Sequence, residues 1–478
     1  MREYIDEHRD GIIDELSQLV RIPSVRGNEC DGAPFGQDCV TCLEAAKSLY
    51  EKHGISVKIS HDRKYGLAAL GNGERKIGLF AHLDVVPPDG DWIYTSNPFE
   101  PRLVDNCLVG RGAEDNKSGV ILSLYAVKLL RDLGVDTKCR LEIFLGTNEE
   151  SGMEDIESYK QNNSLPDVAI IPDGGFPVSI GERSICRFFA VNDSEFSDIL
   201  SMEGGSAFNI VLGELCVRMK YSDSLFAEAT EICRNDDRLS VSQNADEISV
   251  LAHGLSKHAG NPEGGINAAY VFANAFKDCA SLCEADRHIL EETALLTGSF
   301  FGEGFGIEND DSLFGRLTCV NGICKTENRR LSLSFDVRFG VSLARAEALE
   351  KIRMSAERHG FGIADVSGSD GFGIGRENIF AQSLESVYNE CKELSTGRES
   401  ACKAFYCSGG TYARKLGGNS FSVGTQAGYI GECIAMPQGH GGAHQPDEQL
   451  SVERFLEAIR IVAMMIVRCD EILAEGDA

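Results

Sequence analysis

Apolar positions near the N-terminus recur at helical spacing. Ile5, Ile12, Ile13, Leu16, Leu19 and Val20 alternate with acidic residues, which predicts an amphipathic helix over residues 5–20, closed by Pro23. A second helix is predicted over residues 40–53 and stopped by Gly54. The pattern then changes to short continuous apolar runs at residues 57–60, 67–70, 76–81, 141–145 and 168–171. Their length and their branched or aromatic content are those of buried strands. Residues 120–133 read as a helix between two of them. Strands alternating with helices predict an α/β domain: a mostly parallel central sheet, flanked by helices, with its ligand edge at the strand C-termini.

From about Ser179 the character shifts. Residues 180–182, 186–191, 207–211, 248–251 and 331–338 read as strands, and residues 266–276 and 344–359 as helices. That order is α+β and suggests an inserted second domain, with the glycine-rich residues 367–375 as its return linker. A helix over 383–394, a loop over 408–413, a strand over 419–424 and a last helix over 452–472 complete the chain. The expected organisation is a catalytic domain of residues 1–178 and 375–478, with an α+β lid of residues 179–374. Two linkers suit hinge closure. There is no internal repeat and no low-complexity tract.

The chemistry gathers where the apolar runs end. The run over residues 76–81 delivers His82 and Asp84, which share a face in an extended segment. The run over 141–145 delivers Glu149-Glu150, and the run over 168–171 delivers Asp173. Asp115, beyond the glycines of Gly110-Arg111-Gly112, is read as projecting from the same kind of strand end. That glycine turn lacks both phosphate-loop spacings, so nucleotide binding is rejected. One histidine and several carboxylates at one sheet edge fit a zinc-type site of nitrogen and oxygen ligands. Two adjacent glutamates can divide labour between metal and proton, whereas an isolated Glu-Glu is more often a solvated turn. His258 lies in a loop feeding a helix, and His440 and His444 share a polar loop, where either could supply a missing nitrogen ligand.

Composition narrows the choice. The 478 residues carry a net charge of -28, which argues against nucleic acid and anionic membranes and suits cations. Apolar residues at 42% and charged residues at 25% are ordinary for a globular protein. The N-terminal stretch lacks an apolar export region and no run is long enough for a membrane span, so a cytoplasmic location is expected. Seventeen cysteines then read as reduced thiols, and Cys39-Val40-Thr41-Cys42, with no second such pair, as structural.

Taken in order, the motifs are His82-Leu83-Asp84-Val85-Val86-Pro87, Gly110-Arg111-Gly112 with Asp115-Asn116-Lys117, Thr147-Asn148-Glu149-Glu150-Ser151-Gly152, Pro172-Asp173 and His444-Gln445-Pro446-Asp447-Glu448. The set resembles the aminoacylase, carboxypeptidase and dipeptidase superfamily of dizinc enzymes. Phe176-Pro177-Val178, Gly204-Gly205-Ser206-Ala207-Phe208-Asn209, Gly409-Gly410-Thr411-Tyr412-Ala413-Arg414 and the large insert make it most similar to the bacterial PepV-type dipeptidases. The resemblance implies two zinc ions per chain, with manganese or cobalt as alternatives. By that resemblance Asp115 bridges the ions, His82 and Asp173 bind one, and Glu150 and His444 bind the other. Glu149 is implied as general base and acid on a bridging water, and Asp84 orients His82. In the lid, His258 is implied to stabilise the oxyanion, Asn209 to reach the substrate and Arg338 to bind its carboxylate, while Gly409, Gly410 and Thr411 line the peptide backbone. His444, followed by Gln445-Pro446-Asp447-Glu448, is preferred to His440 as the ligand.

Two departures from the common pattern bear on substrate preference. Ala81 stands where glycine is usual, and Asn116-Lys117-Ser118-Gly119 replaces Asp-Lys-Gly-Pro. The expected function is hydrolysis of dipeptides, β-alanyl or D-residue peptides among them, by a monomer. The alternatives are an N-acyl-amino-acid amidohydrolase or deacetylase with the same metal site, and a metal-binding protein without catalysis, which would have no need of Glu149.

Overall fold

In the computed structural model, which describes residues 1–244 and 246–476, the chain forms two compact units. One is built from residues 1–181 and from 374 onward, and the other from residues 182–373.

The first unit is organised on six consecutive strands of a mixed nine-stranded sheet, in the order Val57–Ile59, Tyr65–Leu70, Arg140–Gly146, Lys76–His82, Val168–Gly174 and Ser420–Gly424. The last four strands run parallel to one another, and the first two add an antiparallel edge. Helices cover the parallel centre, so its strands are buried on both faces and read as continuous apolar runs. Ile77, Leu79, Phe80, Ile143, Phe144 and Leu145 are all buried. Helix Lys117–Asp132 packs on strands Lys76–His82 and Val168–Gly174, and helix Val452–Glu475 packs on it in turn. His82 is in register with Gly146, so His82 and the Glu149-Glu150 turn leave the sheet at the same edge.

Asp115 arrives differently from the sequence reading. It follows strand Cys107–Val109, which belongs to a separate small antiparallel sheet with Arg102–Val104 and Gln449–Ser451. The run at Leu108-Val109 is too short to span the central sheet, and it pairs with what lies beside it. That pairing has a consequence for the site: Gln449 sits opposite Val109, which brings the 440–448 loop alongside the 110–116 loop.

The second unit holds two four-stranded antiparallel sheets. One runs Thr318–Glu327, Arg330–Phe339, Ser184–Asn192, Phe361–Ser369; the other runs Ile199–Glu203, Glu214–Lys220, Glu247–His253, Leu239–Asn244. Strand Ser184–Asn192 shows the alternation of a sheet with one core face. Cys186, Phe188 and Ala190 are buried in the core, while Ile185, Arg187 and Phe189 turn to the other face. Two expectations are corrected here. Residues 207–211 form a turn rather than a strand, because Gly204 and Gly205 let the chain fold back and Val211 packs against Ala259 and Val320. Residues 367–375 are not a plain linker, since strand Phe361–Ser369 runs into them and pairs Ser367, Gly368 and Ser369 with Arg187, Cys186 and Ile185.

Candidate metal centre

His82 ends its strand wholly buried. Its Nδ1 lies 2.9 Å from the Asp84 carbonyl oxygen, which can only accept. The proton is therefore on Nδ1, and the lone pair of Nε2 is left for a ligand role. Nε2 lies 3.2 Å from Asp115 Oδ1 and 3.7 Å from Asp173 Oδ2. The Asp84 carboxylate is 3.4 Å from Nδ1 and also accepts the backbone N–H groups of Glu149 and Glu150, each at 3.1 Å. A single aspartate thus ties the histidine to the two glutamates.

The glutamate turn is held from below as well. Asp155 accepts from Thr147 N at 2.8 Å, Asn148 N at 2.9 Å and the Tyr412 hydroxyl at 2.5 Å. A side chain at Gly146 would overlap that hydroxyl, so only glycine fits there. Tyr412 in turn fixes the neighbouring loop. Thr411 Oγ1 is 2.9 Å from Ser422 Oγ in strand Ser420–Gly424, and Gly409 and Gly410 remain exposed.

Glu448 shapes the Asp115 loop. Fully buried, it accepts from the backbone N–H groups of Gly112, Glu114 and Asp115 and from Arg111 Nη1 at 2.6 Å. Asp447, also fully buried, accepts from Ile93 N, Tyr94 N and His440 Nδ1. His440 is therefore engaged in holding this loop, while His444 points at the acids: its Nε2 is 3.0 Å from Asp115 Oδ2 and 3.1 Å from Glu150 Oε1. His444, exposed itself, has φ +63°, a left-handed conformation costing about 1–2 kcal/mol in a residue with a Cβ, and is held by these two contacts. Asn116 links the remaining pieces, accepting from His82 N and donating to Asp173 Oδ1 and the Pro172 carbonyl. The structure therefore brings His82, Asp84, Asp115, Glu149, Glu150, Asp173 and His444 into one cluster.

Asn209, His258 and Arg338 lie in the second unit. Ile210 bridges His258, and Ala259 N donates to the Asn209 carbonyl at 2.8 Å. Val211 and Ala259 pin these two loops onto Val320, and Phe208 stacks edge-on against Phe189 at 5.0 Å. Arg338 donates to Asp336 on the same sheet.

A model of the peptidase family M20/M25/M40 matches residues 78–468, most of the chain. The chain belongs to that family. It is a metallopeptidase, a hydrolase of peptide bonds. A Staphylococcus haemolyticus protein whose name assigns it, provisionally, as a dipeptidase is 28% identical over 433 residues, covering 87% of this chain and 90% of its own. Among solved structures, human carnosine dipeptidase 1 has a TM-score of 0.57 at 15% identity, with 98% of each chain covered. A dipeptidase from Saccharomyces cerevisiae has a TM-score of 0.58 at 12% identity, again with 98% of each chain covered. These likenesses establish the M20 fold of a catalytic sheet domain with an inserted second domain.

The donor set of this M20 peptidase fits metal. Candidate ligand atoms of His82, Glu149 and Asp173 lie within 4.8 Å of one another, as do those of His82, Asp115 and Glu150. Buried His82 Nε2 and Glu149 Oε1 have no hydrogen-bond partner. Five carboxylates crowd two imidazoles, and without a cation the protons must carry the balance. Burial works against charging His82, yet Asp115, Asp84 and Asp173 raise its pKa well above the ordinary value. Asp115 and Glu150 push His444 up to about 11. Burial raises Asp115, but His444 and His82 outweigh it and hold the carboxyl well below the usual range. Imidazole and carboxylate donors in this balance suit a zinc-like divalent ion.

Distance alone does not separate ligand from base in the glutamate pair; their surroundings do. Burial raises the pKa of both, but Glu150 is engaged by His444. Glu149 is buried with one oxygen unpartnered, and burial together with Asp173, Glu150 and Asp84 raises its pKa well above the ordinary value, against the opposing pull of His82.

Sequence reasoning missed the supporting residues Asp155, Tyr412, Asp447 and Glu448 as such. The Asp447-Glu448 pair was visible beside His444, but which backbone groups it holds is a tertiary fact.

Proposed function

We propose that this M20 peptidase is a zinc-dependent dipeptidase with two zinc ions. Asp115 would bridge them, His82 and Asp173 would complete one set, and Glu150 and His444 the other. When bound, the ions supply Lewis acidity to the scissile carbonyl and lower the pKa of water. The chain's own residues do the rest. Glu149, raised in pKa and unpartnered at Oε1, takes the proton of the attacking water and delivers it to the leaving amine. Asp84 and Asp155 keep the glutamate turn fixed while this happens. His258 is the proposed donor to the developing oxyanion, Arg338 the partner of the substrate's free carboxylate, and Asn209, Gly409, Gly410 and Thr411 the groups along its backbone.

The observation that carries hydrolysis is the buried Glu149, unpartnered at Oε1, beside the ligand-type group of His82, Asp115 and Glu150. The dipeptide preference is supported by the staphylococcal relative's name across 87% of this chain. A monomer working in a reducing cytoplasm is part of the same reading, which suits seventeen cysteines of which none is in a disulfide.

Dipeptides and N-acetylated amino acids should be offered to the zinc-loaded protein and kcat/KM compared. Dipeptides are expected to be turned over at least about tenfold better, a difference of roughly 1.4 kcal/mol in transition-state binding. Turnover of the acetylated set alone would assign the protein to amidohydrolysis, and turnover of neither would leave a metal binder.

A further inference from the structure

The polar face of the second unit's Arg338 sheet carries one more group than the proposed function uses. Arg187 lies directly opposite Asp336 in the antiparallel ladder, and Asp336 and Arg338, two residues apart, share that face. Asp336 is fully buried and stands between the two guanidiniums. Its Oδ1 accepts from Arg338 Nε at 2.7 Å, and its Oδ2 accepts from Arg338 Nη2 at 3.3 Å and from Arg187 Nε at 2.8 Å. These three side chains together sum to one positive charge.

The two arginines present that charge differently. Arg338 lies side-on to Asp336 with its side chain 4% exposed. Arg187 has its side chain 37% exposed and gives Asp336 only its Nε, so both terminal nitrogens are without a hydrogen-bond partner. A guanidinium fork held at its root and open at its tip matches a carboxylate in two parallel bonds. A second observation points the same way. Thr318, directly across from Arg338 in the ladder, is 4% exposed, and its hydroxyl has no hydrogen-bond partner. A buried hydroxyl left over beside a surplus cation is the inventory of an anion pocket. His258, the proposed oxyanion donor, lies within electrostatic reach of Arg338, Asp336 and Arg187.

We infer that Arg187 is a specificity-determining residue of this enzyme: its guanidinium fork, with Arg338 behind it, binds the single free carboxylate of the substrate. Asp336 orients both arginines, and Arg187 supplies the open fork. The inference rests on the reading of the protein as a hydrolase of small substrates that end in a free carboxylate.

The test compares the zinc-loaded wild type with Arg187→Gln and Arg187→Lys on a free dipeptide and on its C-terminal amide. Arg187→Gln is expected to raise KM for the free dipeptide roughly ten- to a hundredfold with kcat within about threefold, and to collapse the free-acid-over-amide ratio of kcat/KM. Arg187→Lys keeps a cation for Asp336 but lacks the fork, so KM is expected to stay raised by roughly fivefold or more. Full recovery in Arg187→Lys would reduce Arg187 to an anchor for Asp336 and overturn the inference. So would an unchanged free-acid-over-amide ratio in Arg187→Gln. A wild type that cleaves no dipeptide would instead sink the dipeptidase reading, and the inference with it.

Discussion

Glu149→Ala is expected to keep the wild-type zinc content and to lose roughly 10²- to 10⁴-fold in kcat, the range for removing a positioned acid–base group. The reason lies in how the two glutamates are held. Both backbone N–H groups donate to Asp84, so truncating one side chain leaves the turn in place. The side chains differ: Glu150 Oε1 faces His444 Nε2 at 3.1 Å, whereas Glu149 Oε1 is buried and faces no donor. A carboxylate so placed has its proton affinity raised by burial and by Asp173 and Glu150, which suits it to accept a proton and give it back. Glu150→Ala, in contrast, should lose zinc. Near-normal turnover in Glu149→Ala, or loss of zinc from it, would show the two roles to be reversed.

His258→Ala is expected to lower kcat about 10²- to 10³-fold with zinc content intact and KM little changed, because an oxyanion exists only in the transition state. Gly260 N donates to His258 Nδ1 at 3.1 Å, so the neutral ring carries its proton on Nε2 and offers a donor there. Desolvation, with the Arg338 and Arg187 guanidiniums nearby, holds its pKa below the ordinary value, so this neutral tautomer dominates at pH 7. His258→Gln retains a donor and should recover part of the loss. A His258→Ala variant with unchanged kcat and a raised KM would make the residue a binder of substrate rather than a stabiliser of the transition state.

The central sheet was legible because its strands are buried on both faces: Ile77 to Ala81 and Leu141 to Leu145 give continuous apolar runs that end where chemistry begins. His82, Glu149, Glu150 and Asp173 followed from those ends. Asp115 was legible as a residue but not in its origin, since Leu108-Val109 gives no sign that its partner is Gln449–Ser451 from the far end of the chain. The second unit was read less well. Strands Ile199–Glu203 and Glu214–Lys220 are interrupted by Ser201, Glu203, Glu214, Arg218 and Lys220 and so lack a continuous apolar run, whereas the apolar residues of 207–211 mimic a strand and instead pack a loop onto Val320. Asp447 and Glu448 were legible only as part of the motif after His444; they are fully buried because backbone N–H groups from distant loops converge on them. Arg187 carried no signal at all: only the register opposite Asp336 singles it out.

The central claim is a dinuclear zinc site built by His82, Asp115, Glu150, Asp173 and His444. Native mass spectrometry of the intact chain during zinc titration counts the ions directly. Two zinc ions per wild-type chain are expected at saturation, with occupancy lost in His82→Ala and the second ion lost in His444→Ala, while His440→Ala still takes up two. Saturation of the wild type at one zinc ion, or full occupancy in His444→Ala, would contradict it.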